Sequence, residues 1–102
     1  GCDIVYAENL QSAKEYQQLR ERIAVPMILA QVQIDPGETS QQLYSLQDVA
    51  DMGYNFALFG VTGLQAAVAA MQGAAKEMMS TGVVEKQPLA PFARVKEVVD
   101  FD

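Results

Sequence analysis

Histidine and tryptophan are absent from this 102-residue sequence, and cysteine occurs only once, as Cys2. Without histidine, the segment lacks the usual neutral-pH base and the commonest protein ligand for metals. A single cysteine can form neither an internal disulfide nor a multi-cysteine zinc site. Cys2 precedes the first predicted strand, so we expect it to pack rather than to react. These absences exclude histidine-, disulfide- and zinc-cysteine-based chemistry for the segment.

Positive charge is also scarce, with 7 Lys and Arg against 13 Asp and Glu and a formal net charge of −6. Nucleic acids and anionic membrane surfaces both favour clustered basic residues, so neither is an expected partner. No signal peptide or apolar run of membrane-spanning length is present, which makes the cytoplasm the expected location. The sequence starts without methionine and already reads as a strand, so we expect it to be a piece of a longer protein.

Three apolar runs of strand length are the clearest positive signal. They are "DIVYA" (3–7), "MILAQV" (27–32) and "NFALFG" (55–60). Helical patterns separate them, so the order is β-α-β-α-β-α-α, which predicts an α/β fold with parallel strands joined by helical crossovers. The strands are apolar throughout, as parallel strands covered on both faces are. A polar loop with a Pro36-Gly37 turn signal follows the second strand.

The helix boundaries carry capping signals. Ser12, followed by Glu15, predicts the start of the first helix, and Ser45 predicts the start of a short second helix that Gly53 ends. Tyr16, Leu19 and Ile23 share one face of the first helix, with Arg20 expected towards water. A long helix is predicted from Thr62 to about Ser80, closed by Gly82, and Pro91 opens a last helix.

Polar or small residues follow each strand where its carboxyl end is predicted, which is the edge where parallel α/β sheets bind ligands. They are Glu8, Gln31, and the turn Gly60, Val61 and Thr62. Glu8 is a candidate carboxylate of a site, and Gln31 puts an amide where an apolar residue would pack better. The turn offers backbone amides at a helix start, which suits an anion.

Each of these candidates also has a purely structural explanation. Glu8 could help to cap the next helix, and the Gln31 amide could be hydrogen-bonded by neighbouring backbone rather than by a ligand. The glycine residues could simply permit the turn. The shared edge favours the functional interpretation of all of them.

The long helix has small residues over much of its surface together with an apolar stripe, Leu64, Val68, Met71 and Met78. A helix that is apolar nearly all round is normally buried nearly all round. Because so little of the chain remains to cover it, we predict a homo-oligomer, a dimer or a tetramer, formed through the helix from Thr62 to Ser80.

Three stretches together closely resemble the carboxy-terminal part of the isocitrate lyase/phosphoenolpyruvate mutase superfamily. They are "GCDIVYAEN", "VPMILAQV" and "GYNFALFGVTGLQAAVAAM". The resemblance implies a (β/α)8 barrel of the TIM type, Mg2+ as cofactor and a small carboxylate or 2-oxo acid substrate. Residues 1–82 would be the last three βα units, with the long helix swapped onto a neighbouring subunit. Residues 83–102 would be a linker and a short C-terminal helix.

The same resemblance implies roles for the candidate residues. Glu8 matches the strand-end glutamate near metal and substrate, so it is the candidate catalytic residue. Gln31 replaces an asparagine that binds a substrate carboxylate, while Gly60, Val61 and Thr62 match the segment lining the substrate pocket. The aspartates that bind the metal, the catalytic loop and the strand-end arginine have no counterpart here. We therefore expect the Mg2+ ligands upstream of this segment, and an isolated chain that is inactive.

These observations lead to three functional hypotheses. The first is a segment of a Mg2+-dependent lyase acting on a C–C bond adjacent to a 2-oxo acid. The second keeps the superfamily but changes the reaction to oxaloacetate decarboxylation or to P–C bond chemistry. The third is of another class, a non-catalytic assembly module. The mass of the native protein separates the third from the others, since the chain alone is 11.1 kDa.

Overall fold

The computed structural model of the chain describes residues 1–35 and 42–101. The Pro36-Gly37 turn predicted from the sequence lies outside the described residues. The strands keep their predicted places but are shorter at their ends, because only the residues paired with a neighbour are strand. The elements in chain order are β1 (Val5–Ala7), α1 (Ala13–Glu21), β2 (Met27–Gln31), α2 (Leu46–Asp51), β3 (Phe56–Phe59), α3 (Thr62–Thr81) and α4 (Phe92–Val99).

The strands form one sheet in the order β1-β2-β3, and both neighbouring pairs are parallel. Tyr6 lies opposite Ile28, and Ile28 lies opposite Phe56 on its other side. Because each crossover contains a helix, this is the α/β arrangement with parallel strands that the order of elements predicted. The predicted class and strand direction are therefore confirmed.

The chain divides into two compact units, Gly1–Thr62 and Gly63–Asp102. The first unit contains the sheet, α1 and α2, and it holds the hydrophobic core. Met27 and Leu29 of β2 are 0% exposed at the centre of that core. Around them lie Ala7, Tyr16, Tyr44, Val49, Met52 and Tyr54, and both Leu19 of α1 and Ile23, which follows the helix, are partly buried against the cluster.

The helices of the first unit begin where the sequence signals predicted. The Ser12 side chain accepts the Glu15 backbone N–H, and Ser45 forms a reciprocal capping box with Asp48. Gly53, with φ +83°, follows the end of α2 in the left-handed region that favours glycine. Local sequence chemistry therefore determined these boundaries.

Arg20 differs from its expected place towards water. Its side chain is half-buried; Nε donates to the Gly53 carbonyl oxygen at 2.7 Å, and Nη1 donates to the Ile23 carbonyl. The guanidinium thus joins the ends of α1 and α2. A helical-face pattern could not reveal this, because the acceptor at Gly53 lies 33 residues away.

The sheet has one covered face and one open face. Val5, Ala7, Met27 and Leu29 face the core, whereas Tyr6 and Phe56 on the other side are 52% and 53% exposed. The apolar character of the strands fits cover on both faces, and within these residues the cover lies mainly on one face. The helices α1 and α2 supply apolar partners to one side only, although the strand residues on both sides are apolar.

The second unit contains most of α3 and all of α4, and none of its described residues is buried. Gly82, at φ +81°, follows α3, and its N–H donates to the Met78 carbonyl, as the predicted helix end requires. The Glu77 carboxylate accepts three backbone N–H groups, from Glu85, Lys86 and Gln87, at 2.8–3.1 Å. Among the described residues, no helix has the length and apolar character needed to cross a bilayer.

Candidate functional site

The predicted site residues all lie at the carboxyl ends of the strands. Glu8 directly follows β1, and Gln31 is the last residue of β2. Gly60 and Val61 form the turn after β3, and Thr62 is the first residue of α3. Since the strands are parallel, these positions share one edge of the sheet, which we call the carboxyl edge.

The pairing register separates these residues between the two faces of the sheet. Gln31 is paired with Phe59 and lies two residues after the buried Leu29, so its side chain is on the face that carries the core. Glu8 alternates with the buried Ala7 and follows the exposed Tyr6 by two residues, which places it on the side of the open face. The structure therefore brings the Gln31 side chain together with Thr62, and leaves Glu8 on the side of the open face.

Glu8 is exposed, and its carboxylate acts on the side chain of Tyr6. Burial against the sheet raises the pKa of the Tyr6 hydroxyl, and the charge and hydrogen bonding of the Glu8 carboxylate raise it further. The nearby carboxylate therefore disfavours loss of the Tyr6 proton. This pair places donor and acceptor chemistry together on the open side of the carboxyl edge.

Gln31 makes a reciprocal pair of hydrogen bonds with the backbone of Tyr44. Its Nε2 donates to the Tyr44 carbonyl at 2.6 Å, and its Oε1 accepts the Tyr44 N–H at 2.9 Å. The side-chain amide therefore pairs with the main chain as another strand residue would. The sequence left open whether the Gln31 amide is hydrogen-bonded by neighbouring backbone or by a ligand. In this structure it is hydrogen-bonded by backbone.

Gly60 packs closely against the side chain of Val32. A Cβ at this position would lie 2.8 Å from Cγ2 of Val32, a distance that real side chains do not adopt. The Gly60 N–H also donates to the Gln31 carbonyl at 2.9 Å, which continues the pairing of β3 with β2 beyond the strand. The absence of a side chain here lets the turn lie directly against β2.

Val61 follows with φ +56°, in the left-handed region that a β-branched residue rarely adopts. Such a conformation costs about 1–3 kcal/mol, and the surrounding fold must maintain it. Asn9, at φ +61°, is a second left-handed residue at the carboxyl edge, directly after Glu8. Residues of this conformation therefore follow both outer strands of the sheet.

Cavities open on the core side of the carboxyl edge. One of about 430 Å3 lies between the segments that follow β1 and β2, with Asn9, Tyr16, Gln31 and Tyr44 in its lining. A smaller one of about 160 Å3 is lined by Gln31, Gln33, Leu43, Tyr44, Phe59 and Thr62. Gln31 and Tyr44 border both cavities, whereas Glu8 lies outside the described linings of both.

Two residues of this region were missed by the sequence reasoning. Tyr6 was assigned to a buried strand, although its spacing of two from Glu8 is the signal that would have put both side chains on one face. Tyr44 lay in a polar stretch before the Ser45 cap with no periodic pattern around it. Its partnership with Gln31 spans 13 residues, so only the folded chain reveals it.

A metal site is not formed by these residues themselves. In the ranges 1–35 and 42–101, no group of three or more His, Cys, Asp or Glu residues is close enough to hold a metal ion. Mg2+ prefers near-octahedral oxygen coordination, usually with carboxylates. Glu8 is a single carboxylate, and this part of the chain does not fit Mg2+ as a self-contained site.

Comparison with known proteins gives a consistent family of relatives. No protein-family model matches the chain. It is 33% identical to 2-methylisocitrate lyase of Bacillus subtilis (strain 168) over 98% of its own length and 32% of that enzyme. A structure of oxaloacetate acetylhydrolase with the product oxalate matches 96% of the chain and 33% of that protein, with 24% identity and a TM-score of 0.81.

A structure of 2,3-dimethylmalate lyase, described as a PEP mutase/isocitrate lyase superfamily member, matches with a TM-score of 0.75. It is 22% identical, over 98% of the chain and 35% of that protein. The chain thus spans about a third of the length of the relatives it matches. The resemblance predicted from the sequence is confirmed, and the three parallel strands correspond to part of a barrel-like lyase fold.

Proposed function

We propose, starting from the resemblance to the isocitrate lyase/phosphoenolpyruvate mutase superfamily, that this chain is a segment of a lyase that acts on a C–C bond adjacent to a 2-oxo acid. The observation that carries the proposal is 33% identity to a 2-methylisocitrate lyase along 98% of the chain. Residues 1–82 would form the last three βα units of the barrel, and residues 83–102 a linker and C-terminal helix.

The arrangement of the carboxyl edge supports this proposal. The open face of the sheet is the side that a closed barrel would turn inwards, because α1 and α2 cover the other face. Glu8 lies on that open side, where its carboxylate raises the pKa of the Tyr6 hydroxyl. We propose that Glu8 accepts a hydrogen bond or a proton from the substrate, and that Gly60, Val61 and Thr62 line the pocket for a small carboxylate.

Magnesium is the cofactor implied by the family. Because the described residues do not make a Mg2+ site, we propose that its ligands come from the part of the full-length protein that precedes this segment. The isolated 102-residue chain would then lack both the metal site and the acid–base loop, and would be inactive. The location we propose for the full-length enzyme is the cytoplasm.

Replacement of Glu8 tests the proposed role directly. In the full-length protein, Glu8→Gln removes the acceptor charge at an exposed position and should leave folding unchanged. We expect kcat/KM to fall at least about tenfold, or roughly 1.4 kcal/mol of transition-state stabilisation. Glu21→Gln, at the exposed end of α1, is the matched control and should behave like wild type. Wild-type kinetics in Glu8→Gln would contradict the assignment.

The reaction itself requires a substrate comparison. Methylisocitrate, dimethylmalate and oxaloacetate are the compounds to compare first, because relatives named for each match the chain. Cleavage of a C–C bond with a 2-oxo acid as product would support the lyase. Decarboxylation of oxaloacetate, or turnover of a phosphonate, would support the alternative reactions of the superfamily. If the full-length protein consumes none of these substrates, the result would favour a non-catalytic module.

Oligomerisation is proposed from α3. Leu64 and Met71 are each 62% exposed, and no residue of the helix is buried. Leaving such side chains in water forfeits about 1.5–3 kcal/mol for each one that could be buried. We propose that a second copy of the protein covers this helix in a dimer or tetramer, with α3 exchanged between subunits.

A further inference from the structure

The paired hydrogen bonds between Gln31 and Tyr44 carry an inference about how substrate choice is set. We infer that Gln31 is a positioning residue: it holds the segment around Tyr44 in place, and it influences substrate choice by shaping the carboxyl edge rather than by binding the substrate carboxylate. The inference rests on the proposed function for its substrate class. The claim that Gln31 holds Tyr44 in place does not depend on that function. It depends only on the two hydrogen bonds between the Gln31 side chain and the Tyr44 backbone, at 2.6 Å and 2.9 Å.

The length of the glutamine side chain makes this pairing possible. Asparagine, which has the same amide on a shorter side chain, would withdraw the amide by one methylene, about 1.5 Å. Bonds of 2.6 Å and 2.9 Å would then lengthen beyond hydrogen-bonding distance unless the backbone moved. The Gln31 amide is directed to the main chain of Tyr44.

Tyr44 transmits this constraint to its surroundings. Its ring is buried and packs edge-to-face on Tyr16 of α1, with ring centroids 5.6 Å apart. Its neighbour Ser45 caps α2, so the backbone at 44–45 fixes where α2 begins. Gln31 and Tyr44 also border both cavities at the carboxyl edge. Loosening this pair should change cavity shape at two places while leaving the core strands intact.

Hydrogen exchange at the Tyr44 amide measures the pair without any substrate. In the full-length protein, Gln31→Met keeps the side-chain length but removes both bonds, and we expect exchange at Tyr44 to rise about tenfold. Gln31→Glu keeps an acceptor for the Tyr44 N–H and should give a smaller rise. Exchange at Leu29 should stay slow, which verifies that the fold is retained. Gln47→Met on the exposed surface of α2 is the matched control.

Ligand addition separates positioning from direct binding. Oxalate and pyruvate are suitable probes, because each carries a small carboxylate. If Gln31 positions Tyr44, exchange at the Tyr44 amide stays slow when the probe binds. If Gln31 binds the carboxylate, it must rotate away from Tyr44, and exchange there should rise in the wild-type protein. A rise with the probe would overturn the inference, and so would unchanged exchange in Gln31→Met.

Kinetics provide a readout that loss of stability alone would not change. Gln31→Asn and Gln31→Met should alter the ratio of kcat/KM between two 2-oxo acid-type substrates by a similar factor, about fivefold, because neither side chain can hold Tyr44. A direct amide–carboxylate contact predicts instead that Asn retains the ratio better than Met, which would overturn the inference. A wild-type enzyme inactive on every such substrate would overturn the proposed lyase function, and slow exchange at Tyr44 would still support the positioning role.

Discussion

The units Gly1–Thr62 and Gly63–Asp102 are both rich in apolar residues, but they bury them very differently. Every buried residue of the described chain lies in the first unit, where the sheet and two helices enclose Met27 and Leu29 completely. In the second unit the large apolar side chains of α3 and α4 are exposed, up to 90% for Met79. The comparison shows that apolar content creates a core only where elements from distant parts of the sequence meet.

The two units also differ in how their loops are fixed. In the first, Arg20 and Gln31 reach backbone groups far along the chain, at Gly53 and Tyr44. In the second, the Glu77 carboxylate fixes the nearby turn at residues 85–87 through three backbone N–H groups. Long-range polar contacts accompany the buried core, whereas local ones are found in the helical unit.

The largest expected effect comes from placing a charge on α3. If a second copy covers this helix, Ala70→Glu buries an uncompensated carboxylate, which costs several kcal/mol. We expect the dissociation constant of the assembly to rise at least about a hundredfold, measured by analytical ultracentrifugation of the full-length protein at micromolar concentration. Ala50→Glu, an exposed position of α2, adds the same charge and should leave the mass unchanged. A folded wild-type monomer would remove the basis for this prediction.

A pair of truncations tests the burial contrast between the units. Leu29→Ala should lower the free energy of unfolding by about 2–5 kcal/mol, because it removes a fully buried side chain from the core. Met79→Ala should change it by no more than about 0.5 kcal/mol at concentrations where the proposed assembly is dissociated, since the side chain is then in water. Chemical denaturation of the full-length protein measures both. Equal losses would mean that Met79 is covered in the working protein.

The smallest effect concerns the carboxylate of Glu77. The backbone N–H groups of Glu85 and Lys86, and to a lesser extent that of Gln87, lower its pKa below the ordinary value of 4.5. Since the pKa is lowered on folding, the stabilisation is present above pH 4.5 and is lost as the pH falls through the folded-state pKa. Glu77→Gln should therefore increase hydrogen exchange at residues 85–87 at neutral pH.

A change of pH tests whether the charge of the Glu77 carboxylate is responsible for this effect. The difference between wild type and Glu77→Gln in exchange at residues 85–87 should shrink below pH 4.5, because protonation makes the wild-type side chain neutral as well. Glu85→Gln removes the same charge from an exposed side chain of the segment and serves as control. A difference that persists undiminished in acid would contradict the role of the ionised carboxylate.

Much of the fold was predictable from local chemistry. Ser12 and Ser45 cap helices because a hydroxyl can accept a backbone N–H a few residues away, and Gly53 and Gly82 end helices because they adopt positive φ at low cost. The order of strands and helices predicted the parallel sheet. The candidate site residues were predicted to share the carboxyl edge, and they do. Their roles in binding and catalysis remain predictions.

The sequence by itself determined the order of the strands and helices and the capped ends of the helices, since capping, turns and apolar runs act within a few residues. Only the tertiary structure decided that Glu8 and Gln31 lie on opposite faces, that Arg20 joins two helices, and that the Gln31 amide pairs with Tyr44. These depend on strand register and on contacts 13 and 33 residues apart in the chain. The residues next to an amide or guanidinium side chain in the sequence do not indicate which distant backbone group it will contact. Its partner is chosen when packing brings a distant backbone group within reach.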